Sequence, residues 1–210
     1  MKKVLLQLLV LLFMVGTAGA WYFLRTDHSP SRSNSINSKT EAWRIKLDQK
    51  AASAAEWIKK NNYNEEYCFL ADMSIESGKN RFFVYSLKGD SILSQGLVTH
   101  GRCNENWLEG RRYGNEIGCG CTSLGHYKVG GKYTGRFGTA FKLHGLDKTN
   151  SNAYARYVVL HSHECVPEAP VHPSPICQSD GCPTVSTDFL TILENYIGKS
   201  KKPVLLWVFE

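Results

Sequence analysis

Three short runs rich in β-branched and aromatic residues, YCFLADMSI (67–75), RFFVYSL (81–87) and SILSQGLVT (91–99), are set apart by the turn residues Ser77-Gly78 and Lys88-Gly89-Asp90. Strand-length apolar runs punctuated by turn formers favour a meander and exclude a helical bundle. The pattern returns in LGHYKVG (124–130), FGTAFKL (137–143), RYVVLH (156–161) and PVLLWVF (203–209). Between them, residues 101–121 are rich in Gly, Asn and Arg and read as a long loop carrying three cysteines.

Two segments carry a helical period instead. From Thr40 to Lys60, Trp43, Leu47, Ala51, Ala54 and Ile58 recur at steps of three and four, with Thr40 as cap and Asn61-Asn62 as stop. In STDFLTILENYI (186–197), Ser186 or Thr187 caps a helix that turns Phe189, Leu193 and Tyr196 inward. One mainly-β domain with flanking helices therefore covers residues 40–210.

The N-terminus has a different character. The chain opens with Lys2-Lys3 and runs uncharged from Val4 to Leu24. Ala18-Gly19-Ala20 makes a small-residue cleavage site, so residues 1–24 fit a cleaved signal peptide. The same run is long enough to span a bilayer, with Trp21, Tyr22 and Phe23 as an interfacial belt, so a retained membrane anchor fits equally. Both readings export the body of the protein to the periplasm or cell envelope. Residues 25–39, RTDHSPSRSNSINSK, are poor in apolar groups and read as a disordered linker.

Lys2 and Lys3 account for two units of the formal charge of +6, which leaves +4 on the remainder. This mild basic excess suits an anionic envelope polymer. No dense Lys/Arg stripe with interleaved aromatics points to nucleic acid. Seven cysteines, Cys68, Cys103, Cys119, Cys121, Cys165, Cys177 and Cys182, leave one over after three bridges. An odd thiol in an oxidising compartment marks a reactive group.

The candidate for that group sits in SDGCP (179–183). Cys182 can be read as half of a disulfide, a metal ligand or a nucleophile. A cysteine nucleophile needs a base, usually histidine, held in turn by a third group. VVLHSHEC supplies His161 at the end of a strand and His163 two residues on. A zinc hydrolase would use the same histidines with nearby cysteines, but no H-E-x-x-H or paired C-x-x-C motif accompanies them. Gly181 lets the backbone approach a substrate closely, and the amides of Gly181 and Cys182 can face a developing oxyanion.

Seventeen residues separate His161 from Ser179-Asp180-Gly181-Cys182. That arrangement resembles the signature of the L,D-transpeptidases (YkuD-like peptidoglycan cross-linking enzymes), and SDGCP is most similar to the murein L,D-transpeptidase catalytic-domain subgroup with its Ser-x-Gly-Cys-Pro motif. LVTHG (97–101), residues 122–161 and SDGCPTVS (179–186) agree with that subgroup in order. The resemblance covers roughly residues 42–210. It implies an L,D-transpeptidase-like β-sandwich with Cys182 as nucleophile, His161 as base and the main-chain carbonyl of Ser162 orienting the imidazole. Ser179, Asp180 and Gly181 would shape the oxyanion and substrate side. The implied reaction is attack by the thiolate on a tetrapeptide stem of peptidoglycan, expulsion of the terminal D-residue, and resolution of the thioester by an amine or by water. No metal or cofactor is implied, and a monomer is expected.

His163 also fits the spacing, with fifteen residues between it and Ser179, and stays as the rival base. Asp180 stands where the wider family has histidine, and Pro183-Thr184 replace its arginine, which removes an expected contact to a substrate carboxylate. His100, His126 and His144 are expected as structural or rim residues, with His126 and Tyr127 as secondary candidates to line the cleft. Cys165 and Cys177 are expected to bridge and brace the loop between base and nucleophile, which stabilises by about 3 kcal/mol in the chain-entropy model. A low thiol pKa is expected for Cys182 beside its histidine. A second functional class also stands: a wall-binding module with the same fold whose cysteines are all oxidised.

Overall fold

The computed structural model describes residues 32–210, with side chains from residue 42 onward. Residues 1–24, expected as signal peptide or anchor, and residues 25–31 of the expected linker lie outside the described residues. The first helix, α1, spans Arg32–Asn61, so it begins eight residues before the Thr40 cap. Extending an existing helix adds one hydrogen bond per residue fixed, which even Ser and Asn tolerate, and Pro30 lies just beyond its start. Among the described residues, no helix is long and apolar enough to cross a membrane.

Eight strands follow: β1 (Tyr67–Asp72), β2 (Phe82–Ser86), β3 (Ser91–Gly96), β4 (Gly125–Gly135), β5 (Gly138–Gly145), β6 (Val159–Ser162), β7 (Thr184–Val185) and β8 (Leu205–Phe209). A second helix, α2 (Thr187–Lys199), precedes β8. All eight strands join one mixed sheet in the order β3-β2-β1-β8-β4-β5-β6-β7. The expected meander is β1–β2–β3, paired antiparallel. The last strand, β8, enters the middle of the sheet, parallel to β1 and antiparallel to β4.

Alternation sorts the side chains onto two faces. Tyr67, Phe69 and Ala71 of β1 join one buried cluster with Phe82, Val84, Leu206 and Val208, and that cluster continues through Tyr127, Phe141, Leu143, Leu160 and Val185. Residues from both halves of the sheet and Phe189, Leu190 and Leu193 of α2 thus share one core, which requires the sheet to curl over α2. Each large apolar side chain buried there contributes about 1.5–3 kcal/mol. Gly96 at the end of β3 makes room for this packing, because a Cβ there would sit 2.4 Å from the Phe189 ring.

The other face of β1, β2 and β8 meets α1. Leu47, Ala51, Ala54 and Ile58 are buried, as their spacing predicts. The Tyr85 hydroxyl donates to Asp48 Oδ1 at 2.8 Å, and Lys50 Nζ lies 4.5 Å over the Trp207 ring. Buried on both faces, β1 is covered at every position. The mainly-β class with flanking helices holds, and the two layers of the expected sandwich are the two halves of one curled sheet.

Curling brings the edges together. Beyond β3 the chain continues through Leu97–Gly101, where Thr99 N donates to Thr184 O and Ser179 N donates to His100 O, both at 2.9 Å. Arg102 N closes the seam on Ser179 O at 2.9 Å. The segment 179–182 is therefore pinned between β6–β7 and the extension of β3.

Candidate active site

At that seam lies an open cleft of about 240 Å³, lined by Thr99, Arg102, Phe137, His161, His163, Gln178, Ser179, Asp180, Cys182 and Thr184, with Cys165 at its margin. His161 stands on β6, where its register partner on β7 is Thr184. The imidazole is buried and flanked by the Phe137 ring, stacked at 5.1 Å from the tip of the β4–β5 hairpin. Its Nδ1 lies 3.0 Å from the carbonyl oxygen of Ser162, the contact the resemblance implies. A carbonyl only accepts, so Nδ1 carries the proton and the lone pair is at Nε2. Nε2 is 3.1 Å from Thr184 Oγ1, which donates to it.

His163 shares the cleft but differs in tautomer. Its Nδ1 accepts the Cys165 N–H at 3.1 Å, which leaves the ring proton of the neutral form on Nε2. Burial lowers the pKa of His161, the Ser162 carbonyl opposes that shift, and His163 adds to it.

Cys182 is a free, half-buried thiol, one of three beside Cys68 and Cys119. Its Sγ accepts from Val159 N–H at 3.5 Å and lies 3.8 Å from Tyr157 O. Burial pushes the thiol above its usual value, against the pull of the Val159 N–H and the Arg156 guanidinium. The expected low pKa does not appear. The cause is physical: burial of the thiol outweighs the Val159 N–H and the Arg156 guanidinium, and the Asp180 carboxylate adds to the rise. The resting pair is a neutral thiol and a neutral imidazole whose lone pair is held by Thr184.

The turn around the thiol is tied down by hydroxyls. The carbonyl of Cys182 accepts from Ser179 Oγ at 2.7 Å and from Thr99 Oγ1 at 3.2 Å. Ser179 Oγ also receives the Gly181 N–H at 3.2 Å, while the Cys182 N–H has no partner among the described residues. Gly181 has φ +107°, and a Cβ there would sit 2.6 Å from Cys121 O, so glycine is required on both counts. Asp180 points outward and pairs with Arg102, Nε to Oδ1 at 2.8 Å.

All six residues singled out in the sequence, His161, Ser162, Ser179, Asp180, Gly181 and Cys182, meet at this seam. Thr184, Thr99, Phe137 and Arg102 belong to it as well and were not singled out. Two of them stood in the quoted segments LVTHG and SDGCPTVS. His126 is structural and outside the cleft: its Nδ1 is 2.9 Å from Asp147 Oδ2, and its ring stacks on Trp57 and lies tilted against Trp207. Tyr127 is core. His100 is structural, with Nδ1 3.1 Å from the buried Arg81 Nη2. The bridges Cys103–Cys121 and Cys165–Cys177 both form. Among the described residues, no three His, Cys, Asp or Glu side chains converge on a metal position.

A family model for the L,D-transpeptidase catalytic domain matches residues 39–207. No curated protein matches by sequence. Among solved structures, the helical cell shape determining protein Pgp2 from Campylobacter jejuni is 15% identical with a TM-score of 0.43, over 68% of this chain and 46% of that one. An L,D-transpeptidase from Mycobacterium smegmatis is 14% identical at 0.41, over 68% of this chain and 58% of its own. An Enterococcus faecium L,D-transpeptidase mutant is 13% identical at 0.41, over 69% and 50%. The chain spans about half the length of these solved chains.

Proposed function

The chain belongs to the L,D-transpeptidase catalytic-domain family, and on that premise we propose that it is an exported cysteine acyltransferase that acts on peptidoglycan tetrapeptide stems through a thioester at Cys182. The observation that carries this reading is a free thiol that lines the same cleft as a histidine whose Nδ1–H is held by a main-chain carbonyl. Such a histidine presents a basic Nε2, which is what a general base needs. His163 presents no lone pair at Nε2 in its neutral form, which favours His161 as the base.

The chemistry follows from the resting geometry. Because thiol and imidazole both rest neutral, attack is coupled to proton transfer: His161 Nε2 leaves the Thr184 hydroxyl and takes the Cys182 proton as sulfur approaches the carbonyl. The Cys182 N–H meets the developing oxyanion. Protonated His161 then passes the proton to the leaving D-residue. An amine from another stem, or water, resolves the thioester, which gives a cross-link or a trimmed tripeptide stem. The wall-binding alternative requires an oxidised Cys182, and the free thiol speaks against it.

Intact-protein mass spectrometry tests the reading. Residues 25–210 incubated with a purified tetrapeptide-stem muropeptide should gain the mass of the tripeptide-stem acyl group, and a Cys182→Ala variant should not. Dimer products identify transfer and tripeptide products identify trimming. A folded protein with neither adduct nor turnover sinks the proposal.

A further inference from the structure

Three cysteines outside the cleft lie around one position. Cys103 N donates to Gly120 O at 3.0 Å, and Cys119 and Cys121 are the residues on either side of Gly120. Cys121 is bridged to Cys103, both are buried, and Cys119 is a half-buried free thiol. Gly120 at φ +64° folds the chain so that Cys119 Sγ sits 3.4 Å from Cys121 N. A Cβ built on Gly114 would lie 3.3 Å from Cys119 Sγ and 3.4 Å from Cys121 Cβ, so the third thiol is within side-chain reach of the bridge. The opposing turn is strained: Cys103 and Asn104 are consecutive non-glycine residues with φ +53° and +65°.

We propose that Cys103, Cys119 and Cys121 form a thiol–disulfide exchange site whose pairing sets the geometry of the nucleophile turn. The Cys119 thiol gives its proton to solvent, and its thiolate attacks Cys103 Sγ. The Cys103–Cys121 bond breaks as Cys103–Cys119 forms, and Cys121 leaves as a thiolate that takes up a proton. One disulfide is exchanged for another, with no net oxidation. Cys119 is the more accessible member, so it is also the point at which an external thiol or disulfide enters the cluster.

The coupling to the cleft runs through the backbone of Cys121. Its carbonyl accepts from Arg156 Nη2 and abuts Gly181, where a Cβ would be 2.6 Å away. On the other side of the bridge, Gly101 pairs with Ser179, and Arg102 N donates to Ser179 O. The Cys103–Cys121 bond therefore staples the two loop segments that flank residues 179–182. Moving the staple to Cys119 frees the Cys121 carbonyl from its place against Gly181 and alters the field of Arg156 on Cys182.

The test equilibrates the protein in a glutathione redox buffer at mildly alkaline pH, quenches with acid and maps the disulfides by peptide mass. The expected map contains both Cys103–Cys121 and Cys103–Cys119. Cys119→Ser holds the first pairing and Cys121→Ser the second. The iodoacetamide alkylation rate of Cys182 should differ between them by about tenfold, the scale that small displacements of a reacting group produce. A map with only Cys103–Cys121 overturns the proposal, and so does exchange that leaves Cys182 alkylation unchanged. If Cys121→Ser does not fold, the wild-type map and its alkylation rate as the pairing shifts decide the matter. Neither readout uses a muropeptide, so failure here is distinct from failure of the acyltransferase reading.

Discussion

The hydroxyl of Thr184 acts on the cleft through His161. It donates to His161 Nε2, which stabilises the neutral imidazole and competes with the thiol for the same lone pair. In the proposed reaction the base must be neutral to act, so acylation would be lost as pH falls through the His161 pKa, which lies below the ordinary 6.5. Thr184→Val removes the donated bond and lets the imidazole hold its proton to higher pH. The acid limb of the acylation-rate profile should shift upward, measured by stopped-time mass spectrometry across pH 5 to 8. A second histidine governs stability. His100 is held near pKa 4 by burial and by Arg81 and Arg111. The unfolded chain then binds more protons than the folded one between about pH 6.5 and pH 4, so stability falls with pH across that window and levels off below it. Urea midpoints at pH 7.5, 5.5 and 4.5 should fall in that order, with a flatter trend in His100→Gln.

Elements were legible where their period was long enough to repeat. The helix stripe Leu47, Ala51, Ala54, Ile58 is readable because burial repeats at a fixed step, and β1, β2 and β8 because they are short, nearly continuous apolar runs bounded by turn residues. The run RYVVLH misleads at its start: Tyr157 has φ +57°, and Val158 N turns back to Ala153 O, so β6 begins only at Val159. The two-residue β7 has no period to find, yet it supplies Thr184. Cleft residues Phe137 and Arg102 come from a hairpin tip and a loop, which take their place through contacts distant in sequence. The capping of α2 was legible. Ser186 Oγ accepts the Phe189 N–H at 3.4 Å, so Ser186→Ala should cost about 1 kcal/mol. Chemical denaturation checks this, and Thr184 and His161 close by make a parallel activity assay informative.

At the scale of the whole molecule, covalent bonds reinforce the loops that the sheet does not. Cys165–Cys177 closes a separation of 12 residues between His161 and Cys182, next to the small apolar cluster of Leu97, Val166 and Ile176. Replacing both cysteines by alanine should lower stability by about 3 kcal/mol in the chain-entropy model, read as a lower melting temperature. Activity at low temperature should survive better than stability, because neither sulfur touches the reacting atoms. The identity of this pair was accessible from the sequence, whereas Cys103–Cys121 was not: the loop 101–121 holds three cysteines, and nothing in their spacing separates Cys119 from Cys121 as the partner.

The central position of β8 has a kinetic consequence. Phe69 pairs with Leu206, so the sheet is joined across its middle by contacts between distant parts of the chain, and β4–β7 reach β1–β3 along the ladder only through that strand. Closing so long a loop comes late and slowly in folding. During synthesis, residues 67–96 can pair as a hairpin meander, but the shared core has no lid until residues 205–209 arrive. Until those residues pair, the chain is a half-sheet with an open edge, the form most exposed to aggregation and to chaperone capture. Deleting the last six residues should leave not a weakened enzyme but a chain trapped in that state.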